Sequence, residues 1–199
     1  MALVTLPNSV VRRTDRRLAA AARVVQSPFT LSQQVQDWGG RRWEYSLQIG
    51  PLQGDEGRAV DAILQGLGGP AARFLYADPS AAYVGSLTLG SPAVNGASQT
   101  GSALVTDGWT ADITLKAGMM FSLGTDTSTR MYMLTADVVV DGAGNATLAI
   151  APALRASPGD NDPLEVDAPK VQLRLPSAVG AQVTPGAFYS YQVEAVEAL

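Results

Sequence analysis

Trp38-Gly39-Gly40-Arg41-Arg42-Trp43-Glu44-Tyr45-Ser46-Leu47-Gln48-Ile49-Gly50-Pro51 is the stretch that decides how this chain folds. In an extended chain Trp43, Tyr45, Leu47 and Ile49 share one face, while Arg42, Glu44, Ser46 and Gln48 share the other. Successive strand side chains point to opposite sides of the sheet, so strict alternation marks a strand with one buried face. Upstream, Phe29, Leu31, Gln33 and Val35 alternate more loosely. With Trp38-Gly39-Gly40 read as the turn between them, the pair forms a β-hairpin that Pro51 closes.

Downstream, Asp55 to Leu67 reads as a helix. Ala59, Val60, Ile63, Leu64 and Leu67 recur at helical spacing, and Asp55 and Glu56 complement the dipole of the first turn. Gly66, Gly68 and Gly69 end it, and Ala72 to Tyr76 follows as a buried strand closed by Asp78-Pro79. From Tyr83 the chain turns to short strands between Gly, Ser and Thr. The strand candidates are Ser86–Leu89, Ser102–Val105, Ala111–Leu115, Met119–Leu123, Arg130–Leu134, Asp137–Val140 and Ala146–Ile150. Asp141-Gly142-Ala143-Gly144-Asn145 is read as a hairpin turn. Such a series predicts a small β-barrel or sandwich. Ser157 to Pro169, with three prolines, three aspartates and a glutamate, reads as a loop or linker. Val171–Leu175 and Phe188–Val196 are two last alternating strands, the latter completing a sheet begun elsewhere.

Composition narrows the chemistry. The chain has 199 residues, no histidine and no cysteine. It therefore lacks the usual general base near neutral pH, any thiolate nucleophile, any disulfide, and the usual zinc ligands. A non-enzymatic role is expected, without cofactor or metal; carboxylate-pair catalysis is the enzymatic alternative that composition leaves open. No window supplies the roughly 20 apolar residues of a membrane helix, and the start does not read as a signal peptide, so no membrane partner is expected. Charged residues make up only 16%, against roughly 25% in ordinary soluble chains, which favours a surface facing other protein. Charge is also uneven. Residues 1–60 hold eight arginines and five acids, for +3, whereas residues 61–199 hold six basic and thirteen acidic residues, for −7.

Arg12, Arg13, Arg16, Arg17 and Arg23 lie in a segment that fits either a short helix or an extended arm. Arg12, Arg13, Arg16 and Arg17 are the candidate subunit-interface residues; a solvated arm is the alternative. Without interleaved aromatics they make a poor nucleic-acid signature, and no nucleic-acid partner is expected. Reversing these four to glutamate is expected to weaken assembly without unfolding the subunit. Trp38, Trp43, Tyr45, Phe74, Tyr76, Tyr189 and Tyr191 are read as core rather than a ligand platform. Met119, Met120, Met131 and Met133 are read as core filler, with an interface patch as the alternative. The acidic run Gly159 to Asp167 offers oxygen atoms but not the order of a calcium loop, and reads as solvated linker.

A longer pattern then emerges. It runs through Ser27-Pro28-Phe29-Thr30, the Gly39-Gly40 pair flanked by Trp38 and Trp43, Gly50-Pro51-Leu52, the amphipathic helix with its glycine stop, and Phe74 to Pro79. It continues through Val94-Asn95-Gly96-Ala97-Ser98-Gln99-Thr100-Gly101, Gly108-Trp109, Lys116-Ala117-Gly118-Met119-Met120-Phe121 and Tyr132. Asp141 to Leu148 and Ile150-Ala151-Pro152-Ala153-Leu154-Arg155 complete it. This pattern resembles the distal tail, or tail-tip, proteins of long non-contractile-tailed bacteriophages, from about Ser27 to Leu199. The arginine-rich start lies outside the resemblance.

The resemblance implies a mainly β fold: a β-sandwich ring domain, similar to tail tube proteins, with one flanking α-helix, plus an inserted small β-barrel or sandwich. The implied division is a ring domain at 27–82 and 158–199 and an outer domain at 83–157, with the basic arm at 1–26, read from the residues alone, preceding it. It also implies a virion protein of the tail tip, assembled in the host cytoplasm into a ring, commonly hexameric. Its partners would be itself, the tail tube protein and the tail-tip hub protein. Another tail structural protein (tail tube or tail completion) and a carbohydrate- or peptide-binding β module are the alternatives. The family's function lies in surfaces, so no single residue carries over.

Overall fold

The computed structural model describes residues 4–199. The fold is mainly β with a single α-helix. In chain order β1 (Val4–Leu6), β2 (Val11–Gln26) and β3 (Gln33–Gln53) precede helix α1 (Asp55–Gly66) and β4 (Phe74–Ala77). A run of short strands follows: β5 (Gly90–Val94), β6 (Ala103–Trp109), β7 (Thr114–Leu115), β8 (Met120–Leu123), β9 (Arg130–Leu134), β10 (Val138–Val139) and β11 (Ala146–Ala151). Finally come β12 (Lys170–Arg174), β13 (Gln182–Thr184) and β14 (Phe188–Glu197).

The first and last groups form one sheet in the order β1-β4-β12-β14-β3-β2, with β13 added to β14. All its pairings are antiparallel except β1 with β4. The alternation read at Trp43–Ile49 holds: these residues are buried, while Glu44, Ser46 and Gln48 face the other side. Register aligns Leu47 with Val193 and Tyr45 with Ala195, so the apolar rows of β3 and β14 meet on one face. Val60, Leu64 and Leu67 of α1 cover part of this face, as the helical spacing requires. Gly57 sits where a methyl group would overlap the Tyr189 ring, so glycine there lets the helix approach β14 closely. Met120 and Met131, from β8 and β9, cover another part of the same face.

The middle strands form a curled sheet in the order β5-β6-β11-β9-β8, with β7 and β10 paired beside it. Its own core contains Leu104, Phe121, Tyr132, Leu134, Leu148 and Ile150. The segment read as a linker belongs here. Leu164 and Val166 are buried in this second core, and Ser122 and Glu165 exchange backbone hydrogen bonds of 2.9 Å. Asp160 accepts the Gly96 N–H at 2.8 Å. Backbone pairing and two apolar anchors hold residues 159–166 against the curled sheet, so they do not form a free linker or part of the first sheet.

Four further local readings are corrected. Trp38-Gly39-Gly40 is not the turn of the hairpin. These residues lie inside β3, where register slips from Ala20 opposite Arg41 to Ala22 opposite Asp37. The chain reverses at Ser27–Ser32, where the Ser27 side chain accepts the N–H groups of Phe29 and Thr30. Such a side chain-to-backbone turn competes well with a glycine pair. Second, residues 1–26 are not a separate arm: Val11–Gln26 is a sheet strand paired to β3 along its length. Third, Asp141–Asn145 is a turn, with the Asp141 carboxylate accepting the Ala143 and Asn145 N–H groups. The strands on either side pair elsewhere, β10 with β7 and β11 with β6 and β9. Ser86–Leu89 forms no strand.

Candidate interaction surface

β14 stays paired to β3 only as far as Val196 opposite Glu44. β2 and β3 continue alone to Gln26 opposite Gln33. From Ala19, opposite Arg42, to Gln26 this two-stranded ribbon extends about 23 Å, at about 3.3 Å per residue. Apart from the half-buried Ser27, residues 20–42 are exposed, on both faces of the ribbon. They include Val24 at 56% exposure, Phe29 at 94%, Leu31 at 68% and Trp38 at 63%, together with Val25 and Val35. A two-stranded hairpin is marginal in water without a third strand or a packed face, and a row of exposed apolar side chains makes this ribbon a candidate contact surface. β2 is also the edge of the sheet, so its outer N–H and C=O groups are unpaired over a long strand.

The root of the ribbon is fixed. Glu197, at the end of β14, accepts the Trp43 N–H at 3.1 Å and pairs with Arg155 at 2.9 Å. The Arg155 guanidinium also donates to the Arg41 carbonyl. The Trp43 indole donates to the Met131 carbonyl at 2.9 Å. Residues from the curled sheet and the C-terminal strand thus hold the point where the ribbon leaves the body.

The four candidate arginines divide into two kinds. Arg13 pairs with Asp15 at 2.8 Å, and Arg17 with Glu44 at 2.6 Å, both on the open face. Glu44 also meets Arg42 at 3.0 Å, and these guanidinium groups, Arg17 first, hold its carboxyl below the usual carboxylate range. Arg12 is exposed at the irregularity between Val11 and Arg13, with no ion-pair partner among the described residues. Arg16 points the other way. Its Nη1 lies 2.7 Å from Asp78, whose side chain is fully buried, and donates to Ser80 at 2.7 Å. Asp78 also accepts from the Tyr45 hydroxyl at 3.3 Å. Burial, and then the nearby Asp78 charge, push the Tyr45 phenol well above its ordinary value. Arg16 is therefore part of the internal structure, and a reversal that includes it disrupts folding. The expectation for the four together is corrected on that ground.

The projecting residues 20–42 carry three arginines and one aspartate, for +2; the remaining residues carry eleven basic and seventeen acidic side chains, for −6. The split seen along the sequence is thus a basic ribbon on an acidic body. Of the aromatic set, Trp43, Tyr45, Phe74, Tyr76 and Tyr191 are core residues and Tyr189 is half-buried, whereas Trp38 is on the ribbon surface. Met120 and Met131 are fully packed. Among the described residues no three His, Cys, Asp or Glu side chains gather where they could hold a metal ion. Sequence reasoning missed Asp78, Arg155 and Glu197. It also missed one available signal: the consecutive pair Val24-Val25 cannot bury both side chains against a single face.

No protein-family model matches this chain, and no curated protein matches it.

Proposed function

We propose that this protein is a non-enzymatic structural component that assembles with copies of itself, and that the assembly is the tail-tip ring of a long non-contractile-tailed bacteriophage. The observation that carries the self-assembly part is the basic, apolar-tipped ribbon standing about 23 Å off an acidic body. The ribbon has no third strand or core of its own, and the body carries the opposite charge. Complementary charge steers association and selects orientation, while burial of the apolar tip supplies affinity. Ribbon and body are different surfaces, so contacts between copies are heterologous, and heterologous contacts close into rings when the rotation allows. The phage setting is supported by the sequence pattern from Ser27 to Leu199 and by the mainly β fold with one flanking helix and a second β unit. In that setting the ring, hexameric in the family resembled, joins the tail tube protein to the tail-tip hub protein.

The test is sedimentation velocity over a concentration series at low and high salt. The expected result is a discrete species near six subunits, which dissociates as salt rises because exposed charges are screened. Arg12→Glu, Arg13→Glu and Arg17→Glu combined, with Arg16 kept, should weaken that species and leave the far-ultraviolet spectrum unchanged. A monomer at every concentration and salt would overturn self-assembly by this chain alone. Specific capture of glycans by the monomer would move the reading to a binding module.

A further inference from the structure

A trough of about 710 Å³ opens between β1, α1 and the connection from β8 to β9. Val4, Ala62, Ile63, Leu67 and Ala72 give it an apolar lining, and Arg73, Asp126 and Thr127 contribute its polar atoms. Its size is that of a cleft that accepts several side chains. Its position matters as much. Val4 belongs to β1 and Arg73 immediately precedes β4, so the trough lies at the β1 edge of the main sheet. The ribbon leaves from the β2 edge, five strand spacings away, or about 24 Å. A copy of this chain therefore presents a projecting apolar tip at one edge and an apolar recess at the other.

Resting on the self-assembly reading above, we propose that this trough receives Phe29 and Leu31 from the ribbon tip of a second copy. The tip cannot serve its own trough, because the ribbon points away from the body at the opposite edge. The tip sequence Ser27-Pro28-Phe29-Thr30-Leu31-Ser32 is uncharged, which suits an apolar lining whose one cation and one anion offset each other. Behind the tip, the +2 ribbon crosses a body of −6, so the same orientation that seats Phe29 also brings opposite charges together. Phe29 at 94% exposure is the natural anchor, since aromatic side chains buried in pockets dominate interface energetics.

The chain has no cysteine, which allows an unambiguous cross-linking test on the full-length protein. Thr30→Cys and Ala62→Cys proteins, both keeping Phe29 and Leu31, are made separately, mixed and oxidised. Thr30 and Ala62 are exposed, so their replacement does not disturb the core. The expected result is a disulfide-linked dimer containing one of each, absent when Thr30→Cys is mixed with Ala153→Cys, at an exposed position on the other β unit. Ala62→Glu, which places a charge in the trough, should weaken association tenfold or more while the thermal transition stays in place. Sedimentation of the same mixtures separates two failures. A monomer removes the self-assembly reading and this proposal with it. An oligomer that forms no Thr30–Ala62 link, or links Thr30 equally well to Ala153, removes the trough assignment alone.

Discussion

Replacing Arg16 by methionine keeps most of the apolar stem and removes the charge, which isolates the electrostatic role of the residue. Asp78 would then keep three donors, the Ser80 N–H at 2.9 Å, the Ser80 hydroxyl at 2.7 Å and the Tyr45 hydroxyl at 3.3 Å, but lose its cation. Breaking a buried ion pair by removing one partner costs about 3–5 kcal/mol. Arg16 itself is 24% exposed and three hydrogen bonds remain, so the low end, about 3 kcal/mol, is expected. For a chain of this size each kcal/mol lowers the melting temperature by about 2–4 °C, so Arg16→Met should melt about 6–12 °C below the parent. If the cost is an uncompensated charge, Asp78→Asn in the Arg16→Met background should restore part of the loss. Arg17→Met, which breaks only an exposed pair, should cost less than about 1 kcal/mol. Calorimetry on these four proteins decides it. An Arg16→Met melting point within about 2 °C of the parent, or a double variant no better than the single, would refute the reasoning and reduce Arg16 to a packing role.

Met131 lies on β9 of the curled sheet yet packs in the core of the main sheet, with its sulfur 3.2 Å from the Tyr45 hydroxyl. Met131→Ala should cost about 2–5 kcal/mol and lower one cooperative transition; two separated transitions in calorimetry would show that the sheets unfold independently. Burial raises the phenols of Tyr45, Tyr76 and Tyr132, and burial together with Asp61 pushes Tyr191 up to about 12. Folding thus favours the protonated phenols. Their contribution is intact below the unfolded-chain value of about 10 and declines as pH rises from there toward 12. The urea midpoint should therefore fall above about pH 10, with phenolate absorbance from these four appearing late; a midpoint flat from about pH 9 to 11.5 would argue against it.

Much of the fold was legible because burial imposes a period. One-face burial forces alternation at Trp43–Ile49 and Phe188–Val196, and a helix lying on a sheet forces the Ala59–Leu67 stripe. These local rules determined the strands, the helix and the mainly β class, and the absence of His and Cys limits the chemistry through composition alone. Partner choice has no such period. Nothing in Asp141–Asn145 says that the strands flanking that turn pair with others, and nothing near Gly39-Gly40 says that β2 runs alongside it. The candidate site shows the same division. The arginines of residues 12–17 were visible as a cluster, but only the sheet register turned Arg16 inward to a buried aspartate and left Arg13 and Arg17 outside. The exposure of Phe29 and Trp38 was likewise decided by where β14 stops. Alternation says that a side chain will face one side of a strand; only the tertiary structure decides whether anything lies on that side to bury it.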